Sequence, residues 1–390
     1  MIRVPTRLDR YPAKMVSHLA ERLVREYAND AELLLDCFCG SGAVTYQSVR
    51  AGIPTLGLDI NPYAVLLTDV KLHGFDAPRA DSLIERFTLM ARGTSTALPI
   101  YDESKRYWFS DATIVKYERM RAAAREFQLS TSPEGKAILL AMALSARLCS
   151  RADQRSPKPF ISRRARTTRA GHHFDPIKQV AVLYKALRSL YGEKRSTPGE
   201  VMRMDLVRDQ APREYYGRCS HLITSPPYIN AQDYFRNCKL ELFVLEGLLR
   251  FRADAIKNCF IGTERGVPRL DSTDDHDFLV DSMPLIGRMQ LTHPKQAAIV
   301  MKYFADISKA IDNVVPLLKK NGTVILVCGD NLVGGYSIPT WRLLNRLMER
   351  KGFRLRGTFG DVIACRNVPP QRSGHKGMIK REIVSRFNRG

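Results

Sequence analysis

The sequence predicts an α/β fold built on a mostly parallel sheet, and three segments indicate it. Residues 33–36 form an apolar strand that leads into a glycine-rich turn and then into a helical segment at 43–51. A second strand at 56–59 follows. Near the middle of the chain, the apolar run 221–224 is typical of a buried parallel strand and ends at two prolines. In folds of this kind, the loops at the carboxyl ends of the strands carry the chemistry.

The turn after the first strand is a candidate ligand-binding segment. Glycine lets a backbone approach a ligand closely and lets the amino end of the next helix face that ligand. The dinucleotide-binding motif is absent, because position 45 is threonine rather than glycine, and no Gly-Lys-Ser/Thr sequence of a phosphate loop follows. The candidate residues of this turn are Asp36, Phe38, Gly40, Ser41 and Gly42.

The second strand also ends in an acid, Asp59, which Ile60 and Asn61 follow. An acid at this point can accept hydrogen bonds from the hydroxyl groups of a ribose, as in Rossmann-like folds. The first two strands therefore predict a nucleoside-binding site.

The turn after the strand at 221–224 reads Ser225, Pro226, Pro227 and Tyr228. Neither proline can donate a ladder hydrogen bond, so the chain is forced into a stiff turn. A hydroxyl group, a rigid pair of carbonyls and an aromatic ring are then presented together, which suits a planar base held by its exocyclic amine. Taken alone, the motif is equally compatible with an ordinary strand exit in which Tyr228 is a core aromatic.

Together, these motifs resemble those of S-adenosylmethionine-dependent methyltransferases. Residues 36–42 resemble the methyl-donor motif, and residues 225–228 resemble the catalytic motif of the DNA amino-methyltransferases. Within that family, the form that begins with Ser is associated with methylation of cytosine N4. The resemblance implies a Rossmann-like class I methyltransferase fold, with a seven-stranded, mostly parallel sheet and helical insertions. Residues 322–330 resemble its next central strand, and 354–362 with 381–387 resemble its closing β-hairpin.

The resemblance also implies the cofactor, S-adenosyl-L-methionine, and further residues that bind it. Tyr11, Pro12 and Lys14 are similar to the amino-terminal element that packs against the methionine part of the cofactor. Asp59 matches the ribose-binding acid of the family. Asp205 falls where the family has an acid near the adenine amine.

The motif positions predict a catalytic domain formed by residues 1–74 and 199–390. The stretch 75–198 is far longer than a crossover between strands requires, so it is predicted to be a structured, mainly helical insertion. It is the candidate target-recognition region. Residues 250–295 form a second, smaller insertion, and which of the two reads the bases stays open.

The formal net charge of +21 and the sequence pI near 9.8 point to a polyanionic partner, here double-stranded DNA. Residues 147–169 carry eight Lys and Arg against a single acid, which favours either a solvated basic loop or an arm that contacts phosphates. Asp233 and Arg236 follow the catalytic turn and are either contacts to the target strand or members of a salt-bridged helix face. The candidate nucleic-acid contacts are Arg155, Lys158, Arg163, Arg164, Arg166, Arg169, Asp233, Arg236 and Arg372.

Eight cysteines are scattered without the spacing of a zinc site, so no metal is predicted. No Pro-Cys dipeptide occurs, which argues against methylation at cytosine C5, a reaction that needs a thiolate. No apolar run reaches the ~20 residues of a membrane span, and the amino terminus lacks the apolar core of a signal peptide. We expect a cytoplasmic, nucleoid-associated protein.

The predicted function is methylation of duplex DNA at the exocyclic N4 of cytosine, and a cognate restriction endonuclease is a candidate partner of the enzyme. The target base leaves the stack to reach the pocket. Tyr228 stacks on its ring, while the Ser225 hydroxyl and the Pro226 carbonyl accept hydrogen bonds from its amine. Three alternatives stay open: methylation of adenine N6, methylation of an amine on an RNA base, and a nucleic-acid-binding protein without activity.

Overall fold

The structure is a computed structural model that describes residues 11, 15–95, 103–154, 158–162, 174–229, 234–264, 279, 283–362 and 381–389. Its strands are β1 (Leu34–Asp36), β2 (Thr55–Asp59), β3 (Gly199–Arg203), β4 (Cys219–Thr224), β5 (Leu318–Cys328), β6 (Asn331–Val333), β7 (Tyr336–Ile338), β8 (Phe353–Val362) and β9 (Arg381–Arg389). Within these residues, seven strands form one sheet in the order β3-β2-β1-β4-β5-β9-β8, and β6 pairs with β7.

The central sheet is parallel except at one side. β1 runs parallel to β2 and β4, β2 to β3, and β4 to β5, whereas β9 is antiparallel to both β5 and β8. The predicted fold class, a seven-stranded and mostly parallel Rossmann-like sheet with a closing β-hairpin, is confirmed. Because parallel strands end at one edge of the sheet, the turns after β1, β2, β3 and β4 all lie along that edge.

The α-helices are numbered in chain order. They are α1 (Ser17–Tyr27), α2 (Ala43–Arg50), α3 (Pro62–His73), α4 (Ala77–Gly93), α5 (Glu103–Trp108), α6 (Asp111–Glu126), α7 (Pro133–Leu148), α8 (Pro176–Tyr191), α9 (Tyr234–Leu245), α10 (Ala253–Ile256), α11 (Met283–Thr292), α12 (Pro294–Val314) and α13 (Thr340–Arg350). No helix in the described part of the chain has the length and apolar character that crossing a bilayer requires.

The chain forms two compact units. The sheet unit comprises Ala13–Ile60, Thr197–Tyr234 and Lys257–Gly390, and the helical unit comprises Met1–Pro12, Asn61–Ser196 and Phe235–Ile256. The helical unit thus takes in α3 and most of α9 in addition to the helices of 75–198. The division into a catalytic domain and two insertions stays a prediction.

In the sheet unit, helices cover both faces of the sheet. Ile223 of β4 packs into a core with Leu19 of α1 and Val44 of α2. Its neighbour Leu222 faces the opposite core, which contains Phe304 of α12. Successive strand residues point to opposite faces, so a strand that is apolar at consecutive positions is buried on both sides.

In the helical unit, α7 packs against α3, α4 and α8. It is apolar around most of its circumference, and most of its side chains are buried. Ser132 caps its amino end by accepting a hydrogen bond from the Gly135 amide at 3.0 Å, and Pro133 occupies its first turn. Lys136 extends from this helix to Asp69 of α3, with 2.7 Å between Nζ and Oδ2.

Two boundaries differ from the sequence prediction. The sequence pattern at 303–318 predicts an amphipathic helix, but this helix, α12, begins earlier, at Pro294, where proline is tolerated because first-turn amides have no helical partner. The next strand, expected at 322–330, begins at Leu318 and ends at Cys328. Leu317 and Leu318 are both buried, and the apolar run that the helical pattern includes leads directly into β5.

Candidate active site

The turns that follow β1 and β4 are joined by hydrogen bonds. Thr224, the last residue of β4, donates from Oγ1 to Asp36 Oδ1 at 2.7 Å. The Phe38 amide lies 3.2 Å from Thr224 Oγ1 and 3.3 Å from Asp36 Oδ1. Residues 188 positions apart therefore meet at one point of the sheet edge. The glycine-rich turn and the Ser-Pro-Pro-Tyr turn leave the sheet side by side.

Asp36 is a buried carboxyl group whose pKa is raised towards neutral pH. Burial raises its pKa from 3.8 to about 7, against the opposing effect of the hydrogen bonds from Thr224 and the Phe38 amide. The charge of Asp59 raises it further. Near neutral pH, Asp36 is therefore present in both protonation states, and its hydrogen bonds favour the charged form.

The glycine-rich turn requires glycine at two positions. Gly40 and Gly42 have φ of +52° and +74°, in the left-handed region that strains other residues. The Gly42 amide donates to the Cys39 carbonyl at 2.8 Å, and α2 begins directly after it. Ser41 between them is buried. The turn is therefore tight and directs the amino end of α2 towards the sheet edge.

The second strand is fastened to this turn. Asp59, the last residue of β2, accepts a hydrogen bond on Oδ2 from the Gly40 amide at 2.8 Å, and the Cys39 amide donates to the Leu58 carbonyl at 3.0 Å. A side chain at Gly57 would place its Cβ 3.3 Å from Cys39 Sγ, so the strand and the turn are in close contact. Asp59 and the following residue, Ile60, are half-buried at the edge of the sheet.

Asp205 lies at the carboxyl end of β3, beside β2. The Met204 amide donates to the Asp59 carbonyl at 2.9 Å. Asp205 accepts a hydrogen bond from the Val207 amide at 3.0 Å, and burial raises its pKa above the usual range. The structure therefore brings Asp205 to the same edge as Asp36 and Asp59.

The predicted catalytic turn is partly enclosed. Ser225 and Pro227 are half-buried, whereas Pro226 and Tyr228 are buried. The Tyr228 hydroxyl donates to Glu382 Oε1 at 2.7 Å. Burial and the charge of Glu382 raise the pKa of Tyr228 well above its ordinary value, so the phenol keeps its proton at neutral pH.

Two predicted cofactor contacts belong to the helical unit. Asn61 caps α3, with its side chain accepting a hydrogen bond from the Tyr63 amide at 3.1 Å. The ring of Tyr11 is buried, and its centroid lies 6.4 Å from that of Tyr63. Pro12 and Lys14 lie outside the described residues.

Most of the predicted nucleic-acid contacts are also outside the described part of the chain. Lys158 and Arg236 are described and exposed. Arg147, which belongs to the same basic stretch, is buried and donates to the Asp153 carbonyl at 3.0 Å, so it serves the fold rather than a surface. The residues outside the description are Arg155, Arg163, Arg164, Arg166, Arg169, Asp233 and Arg372.

Sequence reasoning missed three residues that contact the predicted site. Thr224 carried a signal, since it is the polar last residue of an apolar strand directly before the catalytic turn. Glu382 carried none, because only the strand order brings it to Tyr228. Gly262 has φ of +79°, and a Cβ there would lie 2.6 Å from the Tyr228 carbonyl oxygen. No cluster of His, Cys, Asp and Glu able to hold a metal occurs among the described residues.

Comparison with known proteins finds two methyltransferases. The chain is 19% identical over 397 residues to the Type II methyltransferase M.MvaI of Kocuria varians, covering 93% of this chain and 85% of that protein. It is 30% identical over 74 residues to the Type II methyltransferase M.MjaII of Methanocaldococcus jannaschii. Both are Type II methyltransferases. The second similarity is local, since it covers 19% of this chain and 14% of M.MjaII. No protein-family model matches the chain.

Proposed function

We propose that this protein is a site-specific DNA methyltransferase that transfers a methyl group from S-adenosyl-L-methionine to the exocyclic N4 of a flipped cytosine. One observation carries the proposal: the glycine-rich turn and the Ser-Pro-Pro-Tyr turn leave adjacent parallel strands and are joined by Thr224 and Asp36. A methyl donor on the first turn is then next to an amine on the second. The two Type II methyltransferases to which the chain is similar support a DNA methyltransferase, without distinguishing the target base.

The residues at the sheet edge fit S-adenosylmethionine. Gly40 and Gly42 let the backbone approach a ligand, and the amino end of α2 follows them. Asp59 and Asp205 supply carboxylate acceptors at the ends of neighbouring strands, which match the ribose hydroxyls and the adenine amine of the cofactor. When bound, the cofactor supplies an electrophilic methyl group on a sulfonium, so no metal and no covalent enzyme intermediate are required.

The catalytic turn holds and orients the base. The Ser225 hydroxyl and the Pro226 carbonyl accept hydrogen bonds from the exocyclic amine, and the ring of Tyr228 stacks on the base. These contacts direct the nitrogen lone pair towards the methyl group, which is catalysis by positioning. The nitrogen would form its bond to the methyl carbon as the sulfur–carbon bond of the sulfonium breaks, with a neutral thioether as the leaving group, and it would then release one proton to solvent. The preference for cytosine N4 over adenine N6 as the target rests on the serine at position 225.

The basic charge of the chain supports DNA as the substrate. The insertion at 75–198 is the candidate reader of the target sequence, with help from 250–295. A cognate restriction endonuclease is the proposed partner. Action on chromosomal DNA would make the protein nucleoid-associated.

A product assay tests the proposal. The protein is incubated with labelled cofactor and either duplex DNA or RNA, and the nucleic acid is digested to nucleosides whose masses are measured. We expect N4-methylcytosine from DNA. N6-methyladenine would correct the target base, and a methylated RNA nucleoside would correct the substrate. An absence of transfer to every substrate would refute the enzymatic function.

Variants of two residues then test their roles. Tyr228→Ala should lower turnover roughly ten- to hundredfold, the loss expected when a base–aromatic stack is removed, and should leave cofactor affinity unchanged. The main effect of Asp59→Ala should be weaker cofactor binding, which calorimetry measures. Tyr216→Ala is the matched control, since it removes an exposed tyrosine of the same unit. Full rate and full affinity in both site variants would contradict the assignments.

A further inference from the structure

Glu382 brings a carboxyl group to the edge of the sheet at which the catalytic turn lies. Strand β9 is antiparallel to β5, and Ile383 pairs with Cys328, the last residue of β5. Glu382 therefore stands where the parallel strands end. It meets Tyr228 there, although the two residues are 154 positions apart.

The surroundings of Glu382 make a carboxyl group costly unless it is hydrogen-bonded. Its side chain is 8% exposed. Val384, two residues further along β9 and on the same face, belongs to the apolar core that includes Leu19. Burial of a carboxylate in apolar surroundings requires hydrogen bonds, and the Tyr228 hydroxyl supplies one at 2.7 Å. An apolar residue would fill this position without the desolvation cost of a carboxyl group, so packing alone does not explain the acid.

Tyr228 is restrained at both of its ends. Its carbonyl is in contact with Gly262, where any side chain would lie 2.6 Å from the carbonyl oxygen. Its hydroxyl is held by Glu382, and because the phenol keeps its proton at neutral pH it remains a donor. The ring of Tyr228 lies between these two contacts. The hydrogen bond to Glu382 restrains the orientation of this ring in addition to packing, which is the only restraint that a phenylalanine ring would have.

We propose that Glu382 is a positioning residue that fixes the ring of Tyr228 in the orientation in which an extruded base stacks on it. The inference rests on the proposed function. Glu382 acts through Tyr228 and does not contact the reacting atoms. Its contribution is made when the base is aligned for transfer, and so it raises kcat rather than the affinity for the cofactor.

Four variants test the inference. Tyr228→Phe removes only the hydroxyl, Glu382→Met removes the acceptor at similar volume, and Glu382→Gln keeps an acceptor oxygen. The fourth combines Tyr228→Phe with Glu382→Met. The readouts are kcat at saturating DNA and cofactor, the KM for DNA, and the dissociation constant of the cofactor.

We expect Tyr228→Phe and Glu382→Met each to lower kcat by roughly tenfold or more, the loss that a hydrogen bond to a charged group predicts. The double variant should be no slower than the slower single one, because both changes break the same bond. Glu382→Gln should restore kcat to within about threefold, because it keeps the neutral part of the bond. Cofactor affinity should not change.

A second tyrosine–glutamate pair of the sheet unit provides the matched control. Tyr215 donates from its hydroxyl to Glu200 Oε2, and Glu200 is exposed. Tyr215→Phe makes the same chemical change away from the catalytic turn and should leave kcat unaltered. A general effect of tyrosine hydroxyl loss on the unit would lower kcat in both variants and would overturn the inference.

Other outcomes also overturn it. Full kcat in Tyr228→Phe would show that the hydroxyl does not orient the ring, and this variant keeps the test decisive if Glu382→Met does not fold. Losses that multiply in the double variant would show that the two residues act independently. A wild-type protein that transfers no methyl group to DNA would instead refute the proposed function, which is a separate result.

Discussion

Thr224→Val removes the hydroxyl group that joins the turn after β1 to the turn after β4. Thr224 is 1% exposed, and its Oγ1 lies 2.7 Å from Asp36 Oδ1. Valine has nearly the same shape, so the change removes a buried hydrogen bond with little loss of packing. The Phe38 amide keeps a second acceptor in Asp36 Oδ1, at 3.3 Å. The expected cost therefore belongs mainly to the bond between Thr224 and Asp36.

The size of this cost should depend on pH. Because burial raises the pKa of Asp36 from 3.8 to about 7, the folded protein loses stability as the pH rises between these values, and the penalty is constant above them. The Thr224 hydroxyl reduces the penalty by favouring the charged form. A hydrogen bond contributes about 1 kcal/mol to a neutral group and about 2–3 kcal/mol to a charged one, so Thr224→Val should cost about 1 kcal/mol near pH 5.5 and about 2–3 kcal/mol near pH 8.5.

Tryptophan fluorescence allows the sheet unit to be followed by itself. The sequence contains two tryptophans, Trp108 in α5 of the helical unit and Trp341 in α13 of the sheet unit. In a Trp108→Phe background, urea unfolding at the two pH values reports on the surroundings of Trp341. The change in unfolding free energy caused by Thr224→Val is then measured in that background.

Two controls separate the hydrogen bond from packing. Thr224→Ser keeps the hydroxyl and loses one buried methyl group, so it should cost about 1 kcal/mol at both pH values. Thr55→Val removes a buried hydroxyl that donates to the Leu34 carbonyl at 3.1 Å, and its cost should not vary with pH because no ionisable group accepts that bond. Equal costs of Thr224→Val at the two pH values would refute the reasoning.

Three further predictions concern other parts of the molecule. Gly262→Ala should lower kcat about tenfold by displacing the Tyr228 carbonyl, whereas Gly217→Ala, which has a similar φ of +66° and no described atom within 4 Å of its Cβ, should not change kcat. Lys136→Met should destabilise the helical unit by roughly 2 kcal/mol, because it removes a counter-charge from the largely buried Asp69 carboxylate; urea unfolding measures this. Affinity for duplex DNA should fall by roughly tenfold or more between 50 and 200 mM salt in a gel-shift titration, because binding releases counterions; an unchanged affinity would argue against phosphate contacts.

The parts of the fold that the sequence predicts are those that depend on neighbouring residues. The glycines at 40 and 42 and the prolines at 226 and 227 mark strand ends, because each limits the local backbone. Once the strand ends are placed, Asp36 and Asp59 are assigned to the edge of the sheet, because each is the last residue of its strand. Parallel strands end at a common edge, so the meeting of the two turns was also predictable once both strands were recognised.

The features that the sequence does not predict depend on distant parts of the chain. Glu382 reaches Tyr228 only because β9 inserts between β5 and β8. The compact helical unit includes α3 and most of α9, and the sequence pattern does not reveal that association because helical periodicity shows which face is buried but not against what. The early start of α12 at Pro294 was missed because its first two residues fall in the stretch 250–295, which was assigned to the second insertion.

The two connections between the units bear on how recognition of a DNA sequence could affect the rate of methyl transfer. The chain passes into the helical unit directly after Ile60, which follows the acid of β2, and again directly after Tyr234, which begins α9 a few residues beyond Tyr228. Under the proposed function, a helical unit that bound its target sequence would be connected through the backbone both to the proposed cofactor-binding acid and to the proposed catalytic turn. Cognate and non-cognate sequences would then differ in the rate of the chemical step as well as in residence time.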